Sequence, residues 1–247
     1  MNPIIVIPSR MASTRLPGKP LALIHGRPMI LHVLDRAREA AIGPVAVACA
    51  DQEIADAVTA DGGIAVMTDP SLPSGSDRVH AALATLDPQG IHDVVVNLQG
   101  DFPTVPPQQL RAVITPLSDP AVDIATLVTP IETEEERNAP QVVKAACAFD
   151  RGRAVSPALY FSRVPVPSGP GPLWHHIGIY AYRRAALARF VSLPESPLER
   201  RESLEQLRAL EAGMRISCAR VEHGAFGVDT PADLERARKV LTPQAAQ

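Results

Sequence analysis

Through the first half of the chain, uninterrupted apolar runs of strand length alternate with amphipathic runs of helix length. Ile4 to Ile7, Val45 to Ala50 and Asp93 to Leu98 each read as a strand covered on both faces, which is the condition of a parallel strand inside an α/β sheet. Between them, Pro28 to Ala41 reads as a helix that starts near Pro28, carries Ile30, Val33, Leu34 and Ala37 on one face, and has Gly43 just beyond its end. Asp51 can cap a helix over Gln52 to Ala60, Gly62 and Gly63 turn the chain into a short strand at Ile64 to Met67, and helices follow at Asp77 to Leu86 and Pro106 to Ile114. The pattern predicts an α/β fold with a mostly parallel sheet and helices on both faces.

From about Asp123 the rhythm changes to the runs Ile124 to Val128, Val142 to Phe149 and Ile177 to Tyr182, joined by longer Pro-rich loops. They predict that the sheet continues, with a small lobe inserted at about 130–175 in one domain spanning 1–247. Leu198 to Ala212 reads as one helix with Leu204, Leu207 and Leu210 inward and Gly213 as its stop, Pro231 to Leu241 as the last helix, and the tail after Thr242 as frayed. With 247 residues, 46% of them hydrophobic, such a domain buries a sizeable core without staples. The cysteines, Cys49, Cys147 and Cys218, lie far apart in apolar stretches and read as buried core in a reducing compartment. No apolar run approaches membrane-spanning length and no basic flank precedes the first strand, so neither a membrane nor export is expected. A net charge of -3 argues against nucleic acid held by bulk charge, so any phosphate binding must be local.

In an open parallel sheet, ligands bind at the carboxyl ends of the strands, which singles out the loop after the first strand. It carries Arg10, Arg15 and Lys19 interleaved with Ser9, Ala12, Ser13 and Gly18. Small residues let backbone N–H groups approach an anion while the cations neutralise a polyphosphate, although the same composition also suits a solvated basic loop. The spacing matches neither a Walker A loop, because Pro20 follows Gly18-Lys19, nor the dinucleotide fingerprint. Asp101 stands directly after a buried strand behind Gly100, and Asp229 just before the last helix. Carboxylates on rigid elements suit a hard cation such as Mg²⁺, whereas Asp229 equally suits a helix cap. Ser74-Gly75-Ser76-Asp77-Arg78 reads as a tight turn with Asp77 as a possible cap, and His176 between apolar neighbours suits a hydrogen-bonded core histidine.

The segment from Ile7 to Leu21 closely resembles the start of the 3-deoxy-manno-octulosonate cytidylyltransferases. Leu98-Gln99-Gly100-Asp101, Gly227-Val228-Asp229-Thr230-Pro231, the Ser74 to Arg78 turn, 158–163, 176–180, 196–199 and 204–208 resemble further segments of that family in family order. The resemblance implies a Rossmann-like nucleotidyltransferase sheet with a dimerising, sugar-binding lobe, a cytoplasmic homodimer, and Mg²⁺-dependent transfer of CMP from CTP to the anomeric hydroxyl of 3-deoxy-manno-octulosonate for lipopolysaccharide synthesis. It implies that Arg10 and Lys19 act on the phosphates with Ser13, that Asp101 and Asp229 hold Mg²⁺, and that Pro8, Ser74, Gly75, Arg78 and Gln99 face the nucleotide. By the same resemblance Gln99, Tyr160, Ser162, Arg163, His176, Tyr180, Glu202 and Gln206 face the sugar acid.

The chain departs from the family's usual Gln-Gly-Asp-Glu-Pro by placing Phe102 after Asp101, the loop from Pro165 to Trp174 is short, and 138–144 matches only loosely. Those departures keep open a related or modified sugar acid, or a non-catalytic nucleotide- or sugar-binding relative. A sialic acid transferase would share the metals but lacks the Thr14-Arg15-Leu16-Pro17-Gly18 run.

Overall fold

The computed structural model describes residues 1–149 and 152–242, and the expected fraying after Thr242 lies outside the described residues. In chain order the elements are β1 (Pro3–Ser9), β2 (Leu23–Ile24), β3 (Arg27–Pro28), α1 (Met29–Ala40), β4 (Val45–Cys49), α2 (Gln52–Ala60), β5 (Ile64–Met67), α3 (Gly75–Leu86), β6 (Val94–Asn97), α4 (Pro107–Val113), β7 (Ile124–Pro130), α5 (Glu134–Asn138), β8 (Lys144–Cys147), β9 (Val155–Ser162), β10 (Trp174–Arg183), α6 (Arg184–Ser192), α7 (Pro197–Glu202), α8 (Gln206–Glu211), β11 (Ile216–Arg220) and α9 (Pro231–Val240). They separate into two compact units, one built from Met1–Asp93, Asn97–Gln108 and the chain from Ala225 onward, the other from Val94–Val96 and Gln109–Gly224.

In the first unit β5, β4 and β1 run parallel, with Ile5 opposite Val45 and Ser9 opposite Cys49. Every residue of β1 and β4 is buried, as their unbroken apolar character requires. Leu98 N–H donates to the Val6 carbonyl at 3.2 Å, which lays the chain leading to Asp101 beside β1. α1 ends on Ala41 in the left-handed region (φ 52), and Gly43 then passes so close to β1 that a Cβ there would lie 2.0 Å from the Pro3 carbonyl oxygen. α9 packs back through Val228, Leu234 and Ala237 onto Ile24 and Met29, an apolar cluster that pins the β2–β3 hairpin and the segment before α9 together. Arg238 reinforces it by donating to the Leu23 carbonyl at 2.7 and 3.0 Å.

In the second unit the strands are mixed. β10 is antiparallel to β7, β11 is parallel to β7, and β9 is antiparallel to both β11 and β8. β8 also pairs with the start of β10 through Trp174 and His175, so these strands close on themselves. The segment at about 130–175 supplies α5, β8, β9 and the start of β10. The β7–β10 register shifts between Ile177 and Tyr180, and the hydroxyl of Thr126 lies within hydrogen-bond distance of the Ile177 and Ile179 carbonyls at 3.1 and 2.9 Å, filling the irregularity with a polar partner.

Several local expectations are corrected. The expected helix over 198–212 is two short ones, α7 and α8, broken at Ser203 in the left-handed region (φ 53), and Leu210 is only half-buried. A capping box between Ser196 and Glu199 starts α7. α3 begins at Gly75 under a Ser74 cap, with the Asp77 N–H donating to the Ser74 hydroxyl, so Asp77 is not its cap. Asp51 precedes α2 but makes no side-chain cap, because its carboxylate is engaged elsewhere. Cys49 and Cys218 are buried while Cys147 is half-buried.

Gly43→Ala should destabilise the protein by about 3 kcal/mol or more, because the clash is with backbone that cannot swing aside. Urea denaturation checks it; a wild-type midpoint for the variant would contradict the packing described.

Candidate active site

The loop after β1 is shaped by backbone before any ligand is considered. The Met11 N–H donates to the Asp51 carboxylate at 2.7 Å, Gly18 turns in the left-handed region (φ 66), and a single 3₁₀ turn over Lys19–Leu21 follows. That turn aims Lys19 inward, where its ammonium donates to Asp101 at 2.7 Å and to Asp229 at 3.0 Å. Arg15 reaches the other oxygen of Asp229 at 3.0 Å.

Asp101 and Asp229 are far apart in sequence, and the reason they meet is visible in the backbone. The Val228 N–H donates to the Asp101 carbonyl at 2.8 Å while the Val228 side chain is sealed into the apolar cluster with Ile24 and Met29. Capping of α9 falls to Thr230, which forms a capping box with Asp233. Asp229 therefore has no capping duty and its carboxylate is left for the site.

Burial and the neighbouring Asp229 carboxylate push the Asp101 pKa up, against the opposing pull of Lys19. Burial works to lower Lys19, but Asp101 and Asp229 outweigh it and its pKa is raised. The ammonium is thus the cation that two converging carboxylates require.

Arg78 on α3 is buried, with one guanidinium nitrogen donating to the Thr68 hydroxyl at 2.6 Å and to the Asp69 carbonyl at 3.1 Å. Its Nη2 is buried and has no acceptor among the described residues, and the Ser9 hydroxyl has no partner among them either. Burial and Arg10 push the Arg78 pKa down. Gly75 is packed so tightly that a Cβ would lie 3.1 Å from the Gln99 amide oxygen, and the Gln99 amide in turn donates to Asn97 at 2.8 Å. Ser9, Gly75, Arg78 and Gln99 border one cavity of about 670 Å³, lined also by Pro8, Arg10, Ser13, Lys19, Asp101 and Asp229. Pro8, Ser74, Gly75, Arg78 and Gln99 also line it, so the expected phosphate- and nucleotide-facing residues of this unit come together. Sequence reasoning missed the unpaired Ser9 hydroxyl, the Arg15 contact and the Asp51 link; the last had a readable signal, an acid at a strand end opposite the loop. Phe102 is buried and its ring faces Gly227, with a contact of 3.9 Å to a Cβ placed there. It does not line the cavity.

The remaining expected residues lie in the second unit. The Glu202 carboxylate accepts from the Tyr160 hydroxyl at 3.3 Å and the Arg163 N–H at 3.0 Å, and the Arg163 side chain donates to the carbonyls of Glu202, Pro140 and Ser203, staking the break between α7 and α8. Buried Lys144 donates to the Ala139 carbonyl at 2.8 Å. The Ser162 hydroxyl accepts from the Val164 N–H, and the buried Gln206 amide nitrogen has no partner among the described residues. His176 is buried against Phe161 and Tyr180, its Nε2 3.0 Å from the Thr126 hydroxyl. Burial raises the Tyr180 phenol well above its ordinary value.

A parallel sheet ending in a cationic small-residue loop, a buried guanidinium with one nitrogen left without an acceptor among the described residues, and two carboxylates sharing one ammonium defines the class: an α/β protein of the nucleotidyltransferase type. A family model described as cytidylyltransferase matches residues 4–216. A 3-deoxy-manno-octulosonate cytidylyltransferase from Paramagnetospirillum magneticum is 63% identical over 98% of both chains, and one from Rhodospirillum centenum is 63% identical over 98% of this chain and 95% of its own. The solved structure of a CMP:2-keto-3-deoxy-manno-octonic acid synthetase complexed with CTP is 41% identical, covers 98% of both chains and superposes with a TM-score of 0.89. The chain belongs to the 3-deoxy-manno-octulosonate cytidylyltransferase family.

One pH dependence follows from the second unit. Burial, with a smaller push from His175, lowers the His176 pKa to about 3 from an ordinary 6.5. The unfolded chain takes up a proton that the folded chain refuses, so this group's contribution is complete above about pH 6.5 and is lost as pH falls toward 3. Between pH 7 and pH 5 it should cost roughly 2 kcal/mol. His176→Gln should flatten that decline in denaturant titrations at the two pH values; equal declines would contradict the assignment.

Proposed function

We propose that the chain transfers CMP from CTP to the anomeric hydroxyl of 3-deoxy-manno-octulosonate. The observation that carries the chemistry is the convergence of Asp101 and Asp229 on Lys19 at a cavity also lined by Arg78, whose buried Nη2 has no acceptor among the described residues. In the reaction the sugar hydroxyl oxygen bonds to the α-phosphorus, the bond from that phosphorus to the bridging oxygen breaks, pyrophosphate leaves with the electron pair, and the hydroxyl proton passes to solvent. Arg10, Ser13 and Lys19 would grip the phosphates, and Pro8, Ser74, Gly75, Arg78 and Gln99 would border the nucleotide.

Mg²⁺ fits the donor set. It binds through one or two carboxylates plus substrate phosphates, and Asp101 and Asp229 supply two carboxylates whose mutual repulsion calls for a cation. When bound it would neutralise phosphate oxygens and lower the pKa of the attacking hydroxyl. For the sugar acid, Gln99 in the first unit offers an amide at the cavity wall. In the second unit the candidates are Tyr160, Ser162, Arg163, His176, Tyr180, Glu202 and Gln206, the last with a buried N–H that has no acceptor among the described residues. We further propose a cytoplasmic homodimer whose product feeds lipopolysaccharide synthesis. The exposed apolar side chains Leu159 and Val164 support a second copy as the partner, and no helix among the described residues is long and apolar enough to cross a membrane.

Incubation with CTP, Mg²⁺ and 3-deoxy-manno-octulosonate should yield the CMP-sugar, identified by mass. CTP binding without turnover would instead favour a non-catalytic relative, and a preference for another sugar acid would overturn the substrate. Asp101→Asn and Asp229→Asn should each lower turnover by about a hundredfold or more while the fold persists; near-normal product formation by either would remove that residue from the chemistry.

A further inference from the structure

Asp51 is an acid beside a cavity built for phosphates, where a negative charge works against the ligand. Its position calls for a compensating role. Register pairing sets Ser9 opposite Cys49 at the ends of β1 and β4, and the Ala50 N–H donates to the Ser9 carbonyl at 3.0 Å. The next residue is therefore delivered to the base of the phosphate loop. There the Asp51 carboxylate accepts the Met11 N–H at 2.7 Å and forgoes the capping of α2 that its position would otherwise give it. The bond lies between Arg10, which lines the cavity, and Ala12 and Ser13, which line it as well.

Resting on the function proposed above, we infer that Asp51 is a positioning residue that fixes the phosphate loop in its CTP-binding form before CTP arrives. The bond holds the backbone where a flexible, Ser- and Gly-containing loop would otherwise lose conformational freedom on binding. The charge has a second use: Arg10 and Arg78 repel each other, and Asp51, together with Asp69, offsets the repulsion on Arg78 until phosphates take over. Asp51 does not line the cavity, so it acts through Met11 and the guanidiniums rather than on the substrate.

The test compares Asp51→Ala and Asp51→Asn with the wild type in steady-state turnover and in calorimetric CTP binding. Asp51→Ala should raise KM and Kd for CTP about tenfold, the loss of one charge-assisted hydrogen bond, with kcat at saturation and KM for the sugar acid within about threefold of wild type. Asp51→Asn, whose amide oxygen still accepts the N–H, should recover most of the affinity. Unchanged CTP affinity in Asp51→Ala, or a fall in kcat with both KM values rising together, overturns the inference. If Asp51→Ala does not fold, Asp51→Leu, which fills the volume but cannot accept the N–H, takes its place: CTP affinity about tenfold weaker, with Asp51→Asn within about threefold of wild type, supports the role of the hydrogen bond, and unchanged affinity in Asp51→Leu overturns it. Absence of CTP binding by the wild type would overturn the proposed function itself, a result separable from these.

Discussion

The site depends on one ammonium held between two carboxylates. Asp101 and Asp229 come from segments far apart in sequence, and without a cation between them their charges would repel. Lys19 bridges both carboxylates and Arg15 reaches Asp229, so each charge has a partner. In the function proposed above, a divalent cation with a polyphosphate would take its place between the carboxylates, and Lys19 would meet phosphate oxygens instead. The cationic loop and the acidic pair are in this sense one device.

What holds the device in place is ordinary packing. Val228 is buried with Met29 and Ile24, and its backbone bonds to Asp101, so the acid following it in sequence is delivered by the hydrophobic effect acting on its neighbour. Gly100 serves the same end, since a Cβ there would lie 3.0 Å from the Pro8 carbonyl oxygen and hold the strand end off the loop. The buried surfaces of β1 and β4 make the platform rigid, and the loops carry the polar groups.

Much of this was legible in the sequence. The unbroken apolar runs give the parallel strands directly, since a strand with no polar face has no other place to go. The phosphate loop was legible as a candidate but not as a conclusion, because its composition equally describes a solvated loop; what favours a ligand is the Arg78 Nη2 and the Ser9 hydroxyl left without partners among the described residues, which only three-dimensional packing reveals. Asp229 shows the same limit: a helix start was readable, yet that Thr230 takes the capping role depends on side-chain direction, not on residue type. Local reading erred most where two residues compete for one task, as Ser74 and Asp77 do at α3. It erred again where a single left-handed residue, Ser203, breaks a periodic helix. The closed strand set of the second unit was not legible, because long-range antiparallel pairing leaves no short-range signal.

Phe102 shows how a departure from a family pattern can be absorbed. Its ring is buried near Gly227 and does not line the cavity, and the Asp101 carboxylate still meets Lys19 at 2.7 Å. The central claim is that Asp101 and Asp229 form one cation-binding pair, and the most direct measurement is Mn²⁺ uptake followed by electron paramagnetic resonance in the presence of CTP. The account predicts that Asp101→Asn and Asp229→Asn each weaken uptake roughly tenfold or more and that combining them adds little further. Full-strength Mn²⁺ binding in either single variant would contradict it.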